Sequence, residues 1–210
     1  MSVSKKMFYS RKQYRAWWWD YRFSKAYFVT INCRNRLPFF GSITGEKFLP
    51  SLIGELTEKE WIKTPQTRPD MHLTLGPFVV MPDHFHSIIH IGHNEYNQSV
   101  LKDTSASHSD SAVAPRYIPV APHCNAALQN DVFEPFLFPK TPIRSFGPQS
   151  KSLSAIIRGF KGAVTLNARK IDPSFAWQPR FHDRIIRNEK EYEAIAWYIQ
   201  NNVKNYNQDQ

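Results

Sequence analysis

The sequence predicts an α+β domain: a central antiparallel β-sheet flanked by α-helices and broken by one long irregular insertion. Three observations predict it. Period-two apolar runs occur at 27–32 and, on either side of a proline turn, at 72–91. Runs with helical spacing occur at 47–63 and 151–169 and again after Asn188. The 58 residues from His93 to Ser150 carry neither period.

Taken in order, Tyr27–Asn32 (YFVTIN) places Tyr27, Val29 and Ile31 on one face and ends in a polar CRNR turn, which reads as a strand. Leu49, Leu52, Ile53, Leu56 and Trp61 predict an amphipathic helix from about Lys47 to Lys63. His72–Met81 and Asp83–Ile91 read as two strands joined by a tight turn or bulge at Pro82. The 93–150 segment holds seven of the fifteen prolines and a DTSASHSDS patch. It is expected to be an insertion, with little order in its first half and an apolar end (Val132, Phe133, Phe136, Leu137, Phe138) docked back on the domain.

Leu153, Ile156, Ile157, Phe160, Ala163 and Val164 mark one face of a further helix, with Arg158, Lys161 and Arg169 beside it. A final helix is expected to start at Asn188, with Glu191 completing a capping-box-like arrangement and Tyr192, Ile195, Ile199 and Val203 as its core stripe. The domain expectation is a basic, aromatic N-terminal arm over residues 1–26 and one domain over 27–210, interrupted at 93–150.

With 210 residues, 41% hydrophobic and 14% aromatic, the chain can bury one substantial core, which excludes disorder for most of it. No apolar run approaches the roughly 20 residues needed to cross a bilayer, and no signal-peptide stretch follows the basic N-terminus. A soluble, cytoplasmic protein without a membrane partner is expected. Cys33 and Cys124 have no metal-knuckle or disulfide spacing and read as packing residues.

The net charge of +9 is unevenly placed. Residues 1–36 carry nine basic side chains against Asp20 alone, and residues 151–190 carry nine against three acidic ones. Interleaved with Trp17, Trp18, Trp19, Tyr21 and Phe23, this reads as a polyanion-binding surface with stacking platforms, or as a plain solvated basic face.

His84 and His86 lie two apart on a strand, so both imidazoles project from one face about 7 Å apart along the backbone. Such a pair can begin a divalent-metal site but needs a third ligand from another element. The same spacing also suits ordinary sheet-face histidines. His90 lies too far along the strand to share the ion. Tyr198 and Asn202, one helical turn apart, fall off the Ile195/Ile199 stripe. They can present a nucleophile and a ligand to one small volume, or serve as a packing aromatic and a fraying helix end.

The segments FVVMPDHFHSIIHI, SLSAIIRGFKGAVT, WQPRFHDRIIRNEKEYEAIAWYIQNN and the earlier DYRF…AYFVTI together resemble the REP-associated tyrosine transposases, within the HUH single-tyrosine transposases. The resemblance covers about residues 20–91 and 150–205. It implies a ferredoxin-like, HUH endonuclease fold with the tyrosine helix beside the histidine strand. It also implies a metal-dependent single-strand DNA endonuclease and transposase that forms a 5′-phosphotyrosine at hairpin-forming repeats. His84 and His86, around Phe85, match the metal-binding pair, Asn202 the third ligand and Tyr198 the nucleophile, with Mg²⁺ or Mn²⁺ as cofactor.

Asp83 stands where the family usually has Asn, and Val203 where Pro commonly follows. Arg158, Lys161, Arg180, Arg184, Arg187 and Arg15 are the candidate DNA contacts, with Trp177 and Phe181 as possible stackers. The expected partner is single-stranded or hairpin DNA, bound by a monomer or homodimer. The rival readings are a histidine-triad nucleotide hydrolase, which Ile88 at the third alternate position counts against, and a catalytically silent, domesticated DNA-binding protein.

Overall fold

The computed structural model describes residues 19–98 and 150–206. Arg15, the rest of the arm to residue 18, Cys124 and the insertion from 99 to 149 lie outside the described residues. The elements run β1 (Lys25–Asn32), β2 (Gly41–Thr44), β3 (Lys47–Pro50), α1 (Leu52–Ile62), β4 (Leu73–Val80), β5 (His84–Ile91), α2 (Leu153–Ala168), β6 (His182–Ile185) and α3 (Glu189–Asn205). A four-stranded sheet has the order β4-β5-β1-β6, with every neighbouring pair antiparallel. The α+β class and the helix-flanked antiparallel sheet are as the sequence predicts. Among the described residues, no helix is long and apolar enough to cross a membrane.

The sheet has two differently used faces, because alternate residues of a strand point opposite ways. Tyr27, Val29 and Ile31 of β1 and Phe85, Ile89 and Ile91 of β5 join the main core, which α1 and α2 cover. Trp61 of α1 meets Phe85 and Phe160 there, with ring centroids 5.1 and 4.9 Å apart. The other face carries Ala26, Phe28, Val79 and Ile88, and against it pack Tyr192, Ile195, Ala196 and Ile199 of α3. Pro77 sits where the β4–β5 register shifts, between Leu75 and Phe78. β4 is an edge strand, so the missing N–H costs the sheet little there.

The structure differs from the sequence reading at three points. The helix expected from Lys47 starts only at Leu52, because 41–50 form the β2–β3 hairpin. Gly45 provides the positive φ of its turn (62°), and Ser51 caps α1 by accepting from the Gly54 amide. Leu49 and Leu52 are accordingly exposed while Ile53 and Trp61 are buried. Secondly, His182–Ile185 forms β6 on the open edge of β1. Four residues pairing with a distant strand leave too short a pattern to be read locally. Thirdly, Trp19, Tyr21 and Phe23 are buried core residues, so they are not stacking platforms. The Trp19 indole donates to the Tyr27 hydroxyl.

Candidate active site

In the antiparallel register Asn32 faces His84 and Thr30 faces His86. Opposed residues share a face, so Phe28, Thr30, Asn32, His84 and His86 form one patch on the α3 side, away from the main core. The intervening Phe85 points the other way and is fully buried. The two imidazoles are buried, with ring centroids 4.6 Å apart at 76°.

Each histidine is held through Nδ1. His84 donates Nδ1–H to Asp83 Oδ1 at 2.6 Å, and the other carboxylate oxygen of Asp83 takes the Arg36 Nε at 2.7 Å. Burial acts to raise the Asp83 carboxyl, but His84 and Arg36 together outweigh it and hold it below the usual carboxylate range. His86 Nδ1 is hydrogen-bonded to Thr30 Oγ1 at 2.8 Å, and its ring stacks on Phe28 at 5.4 Å. Burial first, then the neighbouring His84 and Arg36, pushes the His86 imidazole down to about 3, so it is neutral at physiological pH. Both rings therefore keep Nε2 as the nitrogen that can bind a cation. Imidazoles with their Nδ1 atoms already engaged are a suitable donor pair for a transition-type divalent ion.

Tyr198 reaches this pair from α3. Its hydroxyl lies 3.4 Å from His86 Nε2, and its ring stands edge-on to His86 (5.4 Å, 69°) and to Phe28 (6.3 Å, 88°). The residue is 44% exposed, on the rim of this patch. Asn202, one turn further on, is buried at 8% exposure, which is not the state of a fraying end. The helix is fixed by the Asn188 side chain, which accepts from the Glu191 amide as expected, while Ile195 and Ile199 anchor it to the sheet.

The basic candidates do different work. Arg158, Arg180 and Arg187 are exposed. Arg184 is paired with Glu191 at 2.6 Å and braces β6 against α3. Lys161 turns inward, donating to the backbone carbonyls of Gln178 and Arg180 at 2.8 and 3.0 Å. Trp177 is a core anchor, ringed by Phe40, Phe160 and Phe175, with its indole donating to the Lys161 carbonyl. Phe181 is half-buried against the main core. His90 packs against Tyr192, with ring centroids 5.7 Å apart. Cys33 is a buried packing residue whose thiol burial pushes up to about 12.

Thr30, Phe28 and Arg36 escaped the sequence reading. A signal for the first two existed: if Tyr27, Val29 and Ile31 face the core, then Phe28, Thr30 and Asn32 face the other way. That they meet His86 is decided only by the pairing of β1 with β5.

No family model matches the chain. A solved structure of a REP-associated tyrosine transposase bound to a REP hairpin superposes with a TM-score of 0.51 at 18% identity, covering 92% of this chain and 73% of that one. That likeness shows the fold, which this chain shares with that transposase. An uncharacterized protein of Haemophilus influenzae is 30% identical over 201 residues, 95% of this chain and 92% of that protein. With that identity across nearly the whole of both sequences, the chain belongs to the same family as the Haemophilus influenzae protein.

Proposed function

We propose that the protein is a metal-dependent, single-strand DNA endonuclease and strand-transferase in which Tyr198 is the nucleophile. The observation that carries the reading is the approach of the Tyr198 hydroxyl to His86 Nε2, at 3.4 Å, on a pair of histidines whose Nδ1 atoms are both already held. His84, His86 and Asn202 would hold the ion, Mg²⁺ or more readily Mn²⁺ given two nitrogen donors. When bound, the ion supplies Lewis-acid polarisation of the scissile phosphate.

The chain's own residues do the rest. Tyr198 Oη attacks phosphorus, forming an O–P bond as the bond to the 3′-oxygen breaks. The phenolic proton passes to solvent, which the exposure of Tyr198 allows, and the departing oxygen leaves as a 3′-hydroxyl. The 5′-phosphotyrosine keeps the phosphodiester energy for rejoining. Phe28 and Thr30 fix the His86 ring, and Asp83 with Arg36 fixes that of His84, so both are oriented before substrate arrives. Arg158, Arg180 and Arg187, all exposed, are the cations that would meet phosphates. The solved transposase that shares this fold is bound to a hairpin, and we extend that substrate class, hairpin DNA, to this chain.

A denaturing gel of protein incubated with labelled single-stranded oligonucleotide and Mn²⁺ tests the reading. A covalent adduct is expected for the wild type and none for Tyr198→Phe, with DNA binding retained in the variant. An adduct that persists in Tyr198→Phe, or that forms equally in EDTA, overturns it. A wild type that binds but never forms an adduct is instead the catalytically silent protein.

A further inference from the structure

Beside the histidine pair, across β1, lies a cavity of about 230 Å³ lined by Thr30, Asn32, Gln178, Arg180, Phe181 and His182. Its floor is the strand end that faces the histidines on its other side, since Thr30 is registered with both His86 and His182. Neighbouring strands lie about 4.8 Å apart, so the cavity is one nucleotide's reach from Tyr198 and the histidines.

Its outer wall is a loop in a conformation that needs support. Arg180 has φ of 69°, a left-handed backbone that is costly for a non-glycine residue. Two attachments hold it: the Gln178 amide donates to the Asn32 carbonyl at 2.8 Å, and the Lys161 ammonium binds the carbonyls of Gln178 and Arg180. Burial pushes Lys161 down to about 8, so this cation is partly desolvated in order to hold two carbonyls. A strained loop held by a desolvated cation beside a candidate active site is the kind of local cost that function sustains.

The lining has a consistent chemistry. Asn32 Oδ1 accepts from Arg36 Nη1 at 3.0 Å, while Asn32 Nδ2 donates to Gln178 Oε1 at only 3.5 Å, the outer limit of a hydrogen bond, so the Asn32 amide retains donor capacity and the Gln178 amide both donor and acceptor capacity. Phe181 contributes an aromatic ring and Arg180 an exposed guanidinium, and no carboxylate lines the cavity. Its volume lies below the 300–1,000 Å³ typical of drug-sized ligands, which suits one planar ring.

We propose that this cavity is a subsite for one unpaired base of the DNA strand, next to the phosphate that lies at Tyr198, with Gln178 and Asn32 reading the base edge and Arg180 meeting its phosphate. Lys161 is a positioning residue for the loop. This deepens the proposed function and rests on it for the strand's direction of approach. It also gives a reason for single-stranded substrate, because a paired base cannot enter.

The test uses the full-length wild-type chain and two probes of equal length and charge: oligo-dT carrying 5-iodouracil, and an abasic deoxyribose-phosphate polymer. Photocrosslinking is expected within 178–182, at Phe181 or its neighbours. Gln178→Ala is expected to weaken oligo-dT binding about 3- to 10-fold, the range of one hydrogen bond, and to leave the abasic polymer unaffected. Arg180→Gly, which keeps the left-handed backbone, is expected to weaken both probes alike. Lys161→Met is expected to reduce the crosslink while far-ultraviolet dichroism stays unchanged.

Crosslinks confined to other segments, or an equal effect of Gln178→Ala on both probes, overturn the subsite. Tyrosine adduct formation without a crosslink at 178–182 sinks this inference alone. A crosslink there without any adduct leaves the subsite standing and removes the nuclease reading.

Discussion

Thr30→Val isolates one contact at the centre of the site. Valine keeps the β-branch and the strand preference and removes only the hydroxyl that meets His86 Nδ1 at 2.8 Å. His86 is 6% exposed and neutral, so a Tyr198 hydroxyl donating to Nε2 requires the proton on Nδ1 and Thr30 as the acceptor. In the variant that buried N–H has no acceptor, a cost of about 1–3 kcal/mol. A methyl group in place of the hydroxyl at a half-buried position returns about 0.4 kcal/mol. The net loss is about 0.6–2.6 kcal/mol, or a fall in Tm of roughly 1–10 °C for a chain of this size.

The assay is urea unfolding in EDTA, run as a double-mutant cycle with His86→Phe, which keeps an aromatic ring over Phe28 and removes the ring nitrogens. In the His86→Phe background Thr30→Val should be neutral or slightly stabilising, giving a coupling of about 1 kcal/mol or more. Wild-type and Thr30→Val chains titrated with Mn²⁺ should differ about 10- to 100-fold in affinity, the usual effect of losing the partner that orients a ligand. An equal cost of Thr30→Val in both backgrounds, or unchanged Mn²⁺ affinity, refutes the argument that Thr30 sets the His86 ring.

The folded chain should be acid-sensitive through His86. Its pKa is about 3 folded and about 6.5 unfolded, so below pH 6.5 the unfolded chain binds a proton that the folded one does not. That contribution is fully present above pH 6.5 and is lost as the pH falls toward 3, at up to about 1.4 kcal/mol per pH unit. Unfolding curves of His86→Phe should be flatter across this window, and identical pH slopes would remove the assignment. Single-stranded DNA binding should weaken with salt, and Arg158→Ala or Arg187→Ala should each lower the log–log slope by about 0.7. Arg184→Ala should leave the slope unchanged because Glu191 already balances that charge. A slope that drops equally in Arg184→Ala would show this pair to open on DNA.

Much of the fold is legible in the chain because it is written in local periods. The alternation at Tyr27–Asn32, the helical stripe from Leu153 to Val164 and the Asn188 cap each specify an element and the face it buries. The β2–β3 hairpin was obscured because Leu49 and Leu52, both exposed, happened to extend the spacing of α1. β6 was not legible because four residues gain a strand conformation only by pairing with β1.

The site divides in the same way. The His84/His86 pair, their common face and the one-turn offset of Tyr198 and Asn202 are readable in the chain, since each follows from the geometry of a single element. That Thr30 holds His86 across 56 residues of sequence, and that Tyr198 meets it across 112, comes from the folding of β1 and α3 against β5. The same holds for Lys161, read as a DNA contact from its charge but placed by packing under the Gln178–Arg180 loop. Charge and period are properties of a residue and its near neighbours, whereas which buried groups satisfy one another depends on strand register and helix docking.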